Sequence, residues 1–140
     1  MRMKGSQMQH EFPIRVYYED TDLAGIVYYA NYLKFIERAR TEWVRGLGID
    51  QGRLRAEEGI VFAVRRIEAD YLKPAKFDDE LTVATRPGPI TGARILLEQS
   101  VLRRGDLLFQ AQVTLVCLTG SGHAIRIPAE VRRKLAPAVH

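Results

Sequence analysis

From Tyr29 to Leu47 the apolar residues Tyr32, Phe35, Ile36, Ala39 and Trp43 recur at spacings of three and four. Asn31, Lys34, Arg38, Glu42 and Arg45 fill the opposite side. That period predicts one long amphipathic helix with a broad apolar stripe, stopped by Gly46 and Gly48. Elsewhere the period is two. Phe12, Ile14, Val16 and Tyr18 alternate with Pro13, Arg15, Tyr17 and Glu19, predicting a first strand. Past Ile60, the residues Val61, Ala63, Ile67, Ala69 and Tyr71 share one face of a long second strand, and Phe62 and Val64 open the other face. Leu81, Val83 and Thr85 make a third strand, broken by Pro87-Gly88-Pro89. Ile95, Leu97 and Val101 make a fourth after a bend at Gly92. Arg104-Gly105-Asp106 predicts a hairpin turn into the most apolar strand: Leu107, Phe109, Ala111, Val113, Leu115, Cys117. The polar run Asp50 to Glu58 predicts a short irregular helix, and Pro128 opens a last one over Ala129 to Leu135.

One long helix needs a sheet to cover its apolar stripe, and late strands joined by short turns run antiparallel. The pattern therefore predicts an α+β fold, a five-stranded antiparallel sheet wrapped around one long central helix, with a short C-terminal helix. At 140 residues the chain is read as one domain, 1–140, with residues 1–10 expected to fray. A five-stranded sheet leaves open edges. Pairing two copies edge to edge removes one of them from each, so a homodimer is expected.

Composition mainly excludes. With 46% hydrophobic and 27% charged residues the chain falls among soluble globular proteins. A net charge of +4 is too mild to indicate a nucleic-acid partner. The stretch Met1 to His10 lacks the apolar core of a secretory signal, and no apolar run reaches the ~18 residues of a membrane span. The expected location is the cytoplasm. The single cysteine, Cys117, excludes a disulfide framework and a Cys-based zinc cluster, and its apolar surroundings predict a buried thiol. His10, His123 and His140 are scattered, so no metal site is expected. Neither a Gly-x-Ser-x-Gly elbow nor a Walker-type phosphate loop occurs.

Candidate chemistry lies just before the long helix, where Asp20 and Asp22 precede Gly25. The first turn of a helix has unpaired N–H groups and partial positive charge, which suit an oxygen that is becoming an anion. A carboxylate beside such donors acts on an acyl group either as general base for water or as nucleophile. The same residues also fit a simple helix cap and an Asp-x-x-Gly turn, and Tyr28, Tyr29 and Tyr32 fit a core as well as a pocket.

A resemblance bears on that choice. Pro13-Ile14-Arg15-Val16-Tyr17-Tyr18-Glu19-Asp20-Thr21-Asp22, then Gly25 to Leu33, then Glu37-Arg38-Ala39-Arg40-Thr41-Glu42 resemble the hotdog-fold acyl-CoA thioesterases. They look most like the YbgC type associated with the Tol-Pal system, with the 4-hydroxybenzoyl-CoA thioesterases as relatives. The resemblance continues through Asp70 to Ala75, Asp78-Asp79, Ala111 to Cys117 and Ile127-Pro128. It implies a hotdog domain that dimerises and often forms tetramers, with its active site between two copies. It implies Asp22, three residues before the glycine, as the catalytic carboxylate, and the Tyr29 backbone N–H as the donor to the thioester carbonyl. Gly25, Tyr28 and Tyr32 would line the substrate site. Arg94, Arg132 and Arg133 are the candidates for the CoA phosphates, against the plain reading of the last two as a solvated helix end. No cofactor is implied, CoA being part of the substrate, and acyl carrier protein is the alternative carrier. Two positions depart from the pattern. Tyr29 stands where many YbgC-type chains have His, and Thr91-Gly92-Ala93-Arg94 replaces a frequent Arg-Gly-x-Ser. The rival readings are a non-catalytic acyl-CoA or acyl-carrier binding scaffold and a hotdog hydratase or dehydratase.

Overall fold

A computed structural model describes residues 9–135. Strand β1 (His10–Arg15) is followed by a 3-10 turn (Tyr18–Asp20), helix α1 (Asn31–Gly46), helix α2 (Gln51–Glu58) and strand β2 (Ile60–Tyr71). Strands β3 (Glu80–Ile90), β4 (Arg94–Arg103), β5 (Asp106–Thr119) and β6 (Ala124–Ile125) come next, and helix α3 (Ala129–Leu135) closes the chain. The sheet runs β1-β3-β4-β5-β2, with every pair antiparallel, and the two-residue β6 joins β5 as a sixth strand. This is the hotdog arrangement, α1 lying against one face of the sheet, on β1, β3 and β4. Much of the expected fray falls on residues 1–8, outside the described residues; His10 already pairs with Thr85.

The stripe on α1 buries Tyr32, Phe35, Ile36, Ala39, Trp43 and Val44. They meet Leu81, Val83, Ile95, Leu97, Val101, Phe109, Ala111, Val113 and Leu115 in one core. Emptying one such position, as in Phe35→Ala, removes about 3–5 kcal/mol. The helix ends where Gly48 takes φ +83°, a conformation that costs a side-chain-bearing residue energy. Residues 51–58 form a regular helix rather than an irregular one. The Asp50 carboxylate accepts the Arg53 N–H at 3.0 Å, and Gly59 ends it at φ +68°.

Three strand details differ from the alternation read along the chain. The pairing of β2 with β5 shifts between Val64 and Arg66. Phe62 and Val64, opposite Cys117 and Leu115, therefore share the inner face with Ile67, Ala69 and Tyr71. The extra residue of a bulge reverses which side chains point inward. Strand β3 is also not broken at Pro87-Gly88-Pro89; it continues to Ile90 with a register shift that absorbs the prolines. Pairing with β1 stops at Thr85, so the prolines fall where β3 has one open side among the described residues. The first strand ends at Arg15 rather than running to Tyr18. The β4–β5 hairpin is as expected, with Arg104 at φ +53° and Gly105 at φ +81°. Among the described residues no helix is long and apolar enough to cross a membrane.

Candidate active site

Between β1 and α1 the chain doubles back on itself. The Asp22 N–H donates to the Ile26 carbonyl (3.0 Å) and the Tyr28 N–H to the Asp20 carbonyl (2.9 Å), with Thr21 bridged to Val27. At the tip Gly25 has φ +80°. No atom lies within 4 Å of the position a Cβ would take there, so backbone conformation rather than close approach calls for glycine in the single chain. A second chain segment fastens this return: the Val27 N–H donates to the Ala75 carbonyl at 2.8 Å, and Ile26 bridges Lys76. Asp79 holds that segment, accepting from the Lys76 N–H (2.8 Å) and Arg103 (2.7 Å). Partial burial opposes its ionisation, but the Lys76 amide and Arg103 outweigh this and hold the carboxyl below its ordinary value.

The two aspartates have different work. Asp20 is structural: its carboxylate accepts the Tyr17 N–H at 2.8 Å, and its carbonyl also accepts the Asn31 side-chain amide at 2.9 Å. Asp22 is exposed. One carboxylate oxygen accepts the Ala24 N–H at 2.9 Å, and the other has no donor among the described residues.

Helix α1 starts without a cap. Ala30 occupies the cap position, makes no side-chain bond, and no acidic residue follows in the first turn. Ser, Thr, Asp or Asn would ordinarily satisfy the free amides there. Among the described residues neither the Tyr29 nor the Ala30 N–H has an acceptor, whereas the Asn31, Tyr32 and Leu33 amides bond back to Tyr28, Tyr29 and Ala30. Two donors without a protein acceptor and the positive end of a 16-residue helix thus follow directly on the Asp22 loop.

Tyr28 and Tyr29 are exposed, with ring centroids 5.0 Å apart, and Tyr29 meets Tyr71 edge-on at 6.0 Å. Tyr32 differs, being only 3% exposed. Its ring stacks on Phe109 at 5.1 Å and its hydroxyl accepts the Ala75 N–H at 3.0 Å, so it belongs to the core. Burial raises its pKa above the ordinary value, more than the Ala75 hydrogen bond lowers it.

The arginines proposed for CoA phosphates lie elsewhere in the chain. Arg94 begins β4 on a turn in which its N–H donates to the Thr91 hydroxyl at 2.9 Å. Arg132 donates to the Thr91 carbonyl, and Arg133 is exposed on the same helix. This end adjoins the C-terminus of α1, since the Lys134 ammonium donates to the Gly48 carbonyl at 2.9 Å. Asp22 lies at the other end of a helix roughly 24 Å long, so one chain does not bring these arginines to its own Asp22. Among the described residues no group of three or more His, Cys, Asp or Glu is placed to hold a metal ion.

Residues 16–135 match the family model described as the thioesterase-like superfamily. The chain belongs to that superfamily. It is 44% identical over 122 residues to the acyl-CoA thioesterase YbgC of Haemophilus influenzae, covering 86% of this chain and 90% of that one. It is 41% identical over 108 residues to the acyl-CoA thioester hydrolase YbgC of Escherichia coli, covering 76% and 80%. Among solved structures, a probable thioesterase from Bartonella henselae superposes with TM-score 0.81 at 37% identity, covering 86% of this chain and 99% of the other. An aspartate-to-asparagine mutant of 4-hydroxybenzoyl-CoA thioesterase, solved with 4-hydroxybenzoyl-CoA, superposes with TM-score 0.85 at 26% identity, covering 91% and 98%.

Sequence reasoning passed over three polar residues in this thioesterase-like chain. Arg126 lays its guanidinium against Gly92, where a Cβ would meet Nη1 at 2.8 Å, so any larger residue at 92 would displace it. Only the glycine itself hinted at this. Arg40 on α1 and Gln99 on β4 bond to each other at 2.8 Å. Gln99 is fully buried, and its amide donates to the Ile36 carbonyl and the Thr85 hydroxyl, both at 2.9 Å. A glutamine on the apolar face of a strand was the available signal, since buried amides are kept for their bonds.

Proposed function

We propose that this chain hydrolyses acyl-CoA thioesters, with Asp22 driving attack on the carbonyl and the free amides at the start of α1 receiving the developing charge. The uncapped start of α1 carries the reading: two unpaired N–H groups next to a loop that presents a half-free carboxylate. The rungs Asp20–Tyr28 and Asp22–Ile26 set Asp22 two residues along the loop, roughly 7 Å, from Tyr28, whose carbonyl carbon is bonded to the Tyr29 nitrogen. A thioester carbonyl bonded to the Tyr29 N–H, with an oxygen poised to attack its carbon, spans about the same distance.

Asp22 acts in one of two ways. As general base it takes a proton from water while the water oxygen bonds to the carbonyl carbon. As nucleophile it forms a mixed anhydride that water then cleaves. In either case the C–S bond breaks, the sulfur leaves as thiolate, and the acid is released. The thiolate is a good leaving group, so no strong general acid is needed and no cofactor enters. The solved relative in which asparagine replaces an aspartate holds 4-hydroxybenzoyl-CoA, which supports a carboxylate as the group needed for cleavage rather than for binding. A cytoplasmic location accords with CoA chemistry and a lone buried thiol.

The reading also calls for two copies. β2 is a twelve-residue edge strand, and Val64, Tyr71 and the adjoining Leu72 are exposed along it. A long apolar edge of this kind is covered by pairing. Two-fold pairing of β2 runs the strands antiparallel, so the start of one β2 lies beside the end of the other, next to Tyr71 and Tyr29. It also brings the basic end of one copy (Arg94, Arg126, Arg132 and Arg133) towards the Asp22 end of its partner, where CoA phosphates would emerge. Acyl carrier protein, with its phosphopantetheine arm, is the alternative carrier for the same seat, and a tetramer of two such dimers is compatible with it.

The deciding experiment is Asp22→Asn, assayed by thiol release from acyl-CoA esters. Turnover should fall by about a hundredfold or more while the melting temperature stays at the wild-type value. Undiminished turnover would remove Asp22 from the mechanism.

A further inference from the structure

Between α1 and the open edge of β2 lies a cavity of about 250 Å³, lined among others by Glu37, Arg40, Thr41, Phe62, Val64 and Leu115. Its apolar wall is what an acyl chain needs. Its other wall is unusual. Arg40 is largely withdrawn from water, with no carboxylate within salt-bridge distance among the described residues. Burial pulls its guanidinium below the ordinary value, and Glu37 only partly offsets that.

The position of Arg40 is fixed rather than incidental. The Gln99 amide has both its donors committed, to Ile36 and Thr85, so its oxygen must face Arg40. One guanidinium N–H is thereby occupied out of about five. Glu37, which accepts the Thr41 hydroxyl at 2.8 Å, supplies a carboxylate on the same cavity. A half-buried cation whose other donors have no protein partner among the described residues favours an oxygen. Glu37 nearby disfavours that oxygen carrying its own negative charge.

We propose that Arg40, held by Gln99, is a specificity-determining residue of the acyl pocket, donating to a neutral oxygen that the acyl chain carries away from its thioester. The inference rests on the thioesterase reading above, and in the β2-paired dimer the cavity of one copy faces the Asp22 loop of its partner. The preferred substrates are thioesters of oxo- or hydroxy-substituted acids rather than of plain hydrocarbon or dicarboxylic acids.

Three five-carbon esters separate these classes: pentanoyl-CoA, 4-oxopentanoyl-CoA and glutaryl-CoA. The wild-type protein should favour 4-oxopentanoyl-CoA over pentanoyl-CoA by about tenfold in kcat/KM, the worth of a hydrogen bond to a charged donor. Arg40→Met should bring that ratio to within about twofold of unity. Glu37→Gln, on the exposed side of α1 and independent of the core, should raise glutaryl-CoA relative to 4-oxopentanoyl-CoA severalfold. If Arg40→Met does not fold, Arg40→Lys should lower the ratio in its place, and the Glu37→Gln result stands by itself. A wild-type ratio near one, or a ratio that a folded Arg40 variant leaves intact, overturns the proposal while leaving the thioesterase reading in place. Failure to cleave any acyl-CoA ester would instead overturn that reading and this inference together.

Discussion

Asp20 and Asp22 are two positions apart and differ in kind, because their oxygens find different donors. Asp20 is committed to the Tyr17 amide, while Asp22 keeps one oxygen open. Tyr32 and Tyr29 divide similarly, one ring in the core and the other on the surface. The Tyr32 hydroxyl is the acceptor for the buried Ala75 N–H, and Ala75 is the residue whose carbonyl holds Val27. Tyr32→Phe leaves that N–H unpaired and should lower stability by about 1–3 kcal/mol in urea unfolding. An unchanged midpoint would show the bond to be dispensable. At this scale the sequence was informative only with the family pattern beside it: the residue types permitted cap, core or catalyst, and neighbours that close in space decide among them.

The elements carry the proposed site by their ends. The start of α1 supplies the donors, and the segment from Ala75 to Asp79 clamps the return loop that presents Asp22. Asp79 makes this clamp sensitive to acid. Its folded pKa lies below the ordinary 3.8, so the unfolded chain takes up the proton first as pH falls. The stabilisation is complete above the ordinary carboxylate range and is lost as pH drops through the lower folded value. Urea midpoints measured from pH 6 down to pH 2.5 should therefore fall less steeply in Asp79→Asn than in wild type. Equal slopes would exclude the clamp as a source of acid lability. Elements were mostly legible in advance, as with α1, the Arg104–Gly105 hairpin and α3, because helix period and turn chemistry are local. The exceptions have local causes of another sort: a bulge at residue 65 that exchanges faces, and prolines admitted where β3 has an open side.

At the scale of the whole molecule, one chain holds the parts of the proposed thioesterase site at opposite ends of α1. In the proposed dimer, two-fold pairing along β2 reunites them, and each site would take Asp22 from one copy and Arg40 from the other. This is testable by complementation. Asp22→Asn subunits mixed with Arg40→Met subunits, unfolded and refolded together, form mixed dimers with one fully intact site each. About a quarter of wild-type kcat/KM for the preferred ester should return, since random pairing makes half the dimers mixed and half of their sites whole. Activity no greater than the sum of the two parents would place both residues in the same copy.

The sequence alone determined the helix, the strands, the turns and the likeness to a thioesterase, because these depend on spacing and residue type within a few positions. Tertiary structure decided what lies far apart along the chain. It separated Arg94 and Arg132 from Asp22 by the length of α1, placed Phe62 and Val64 on the inner face, and joined Arg40 to Gln99 across 59 residues. Such contacts follow from register and packing, and neither is written in any single stretch of the chain.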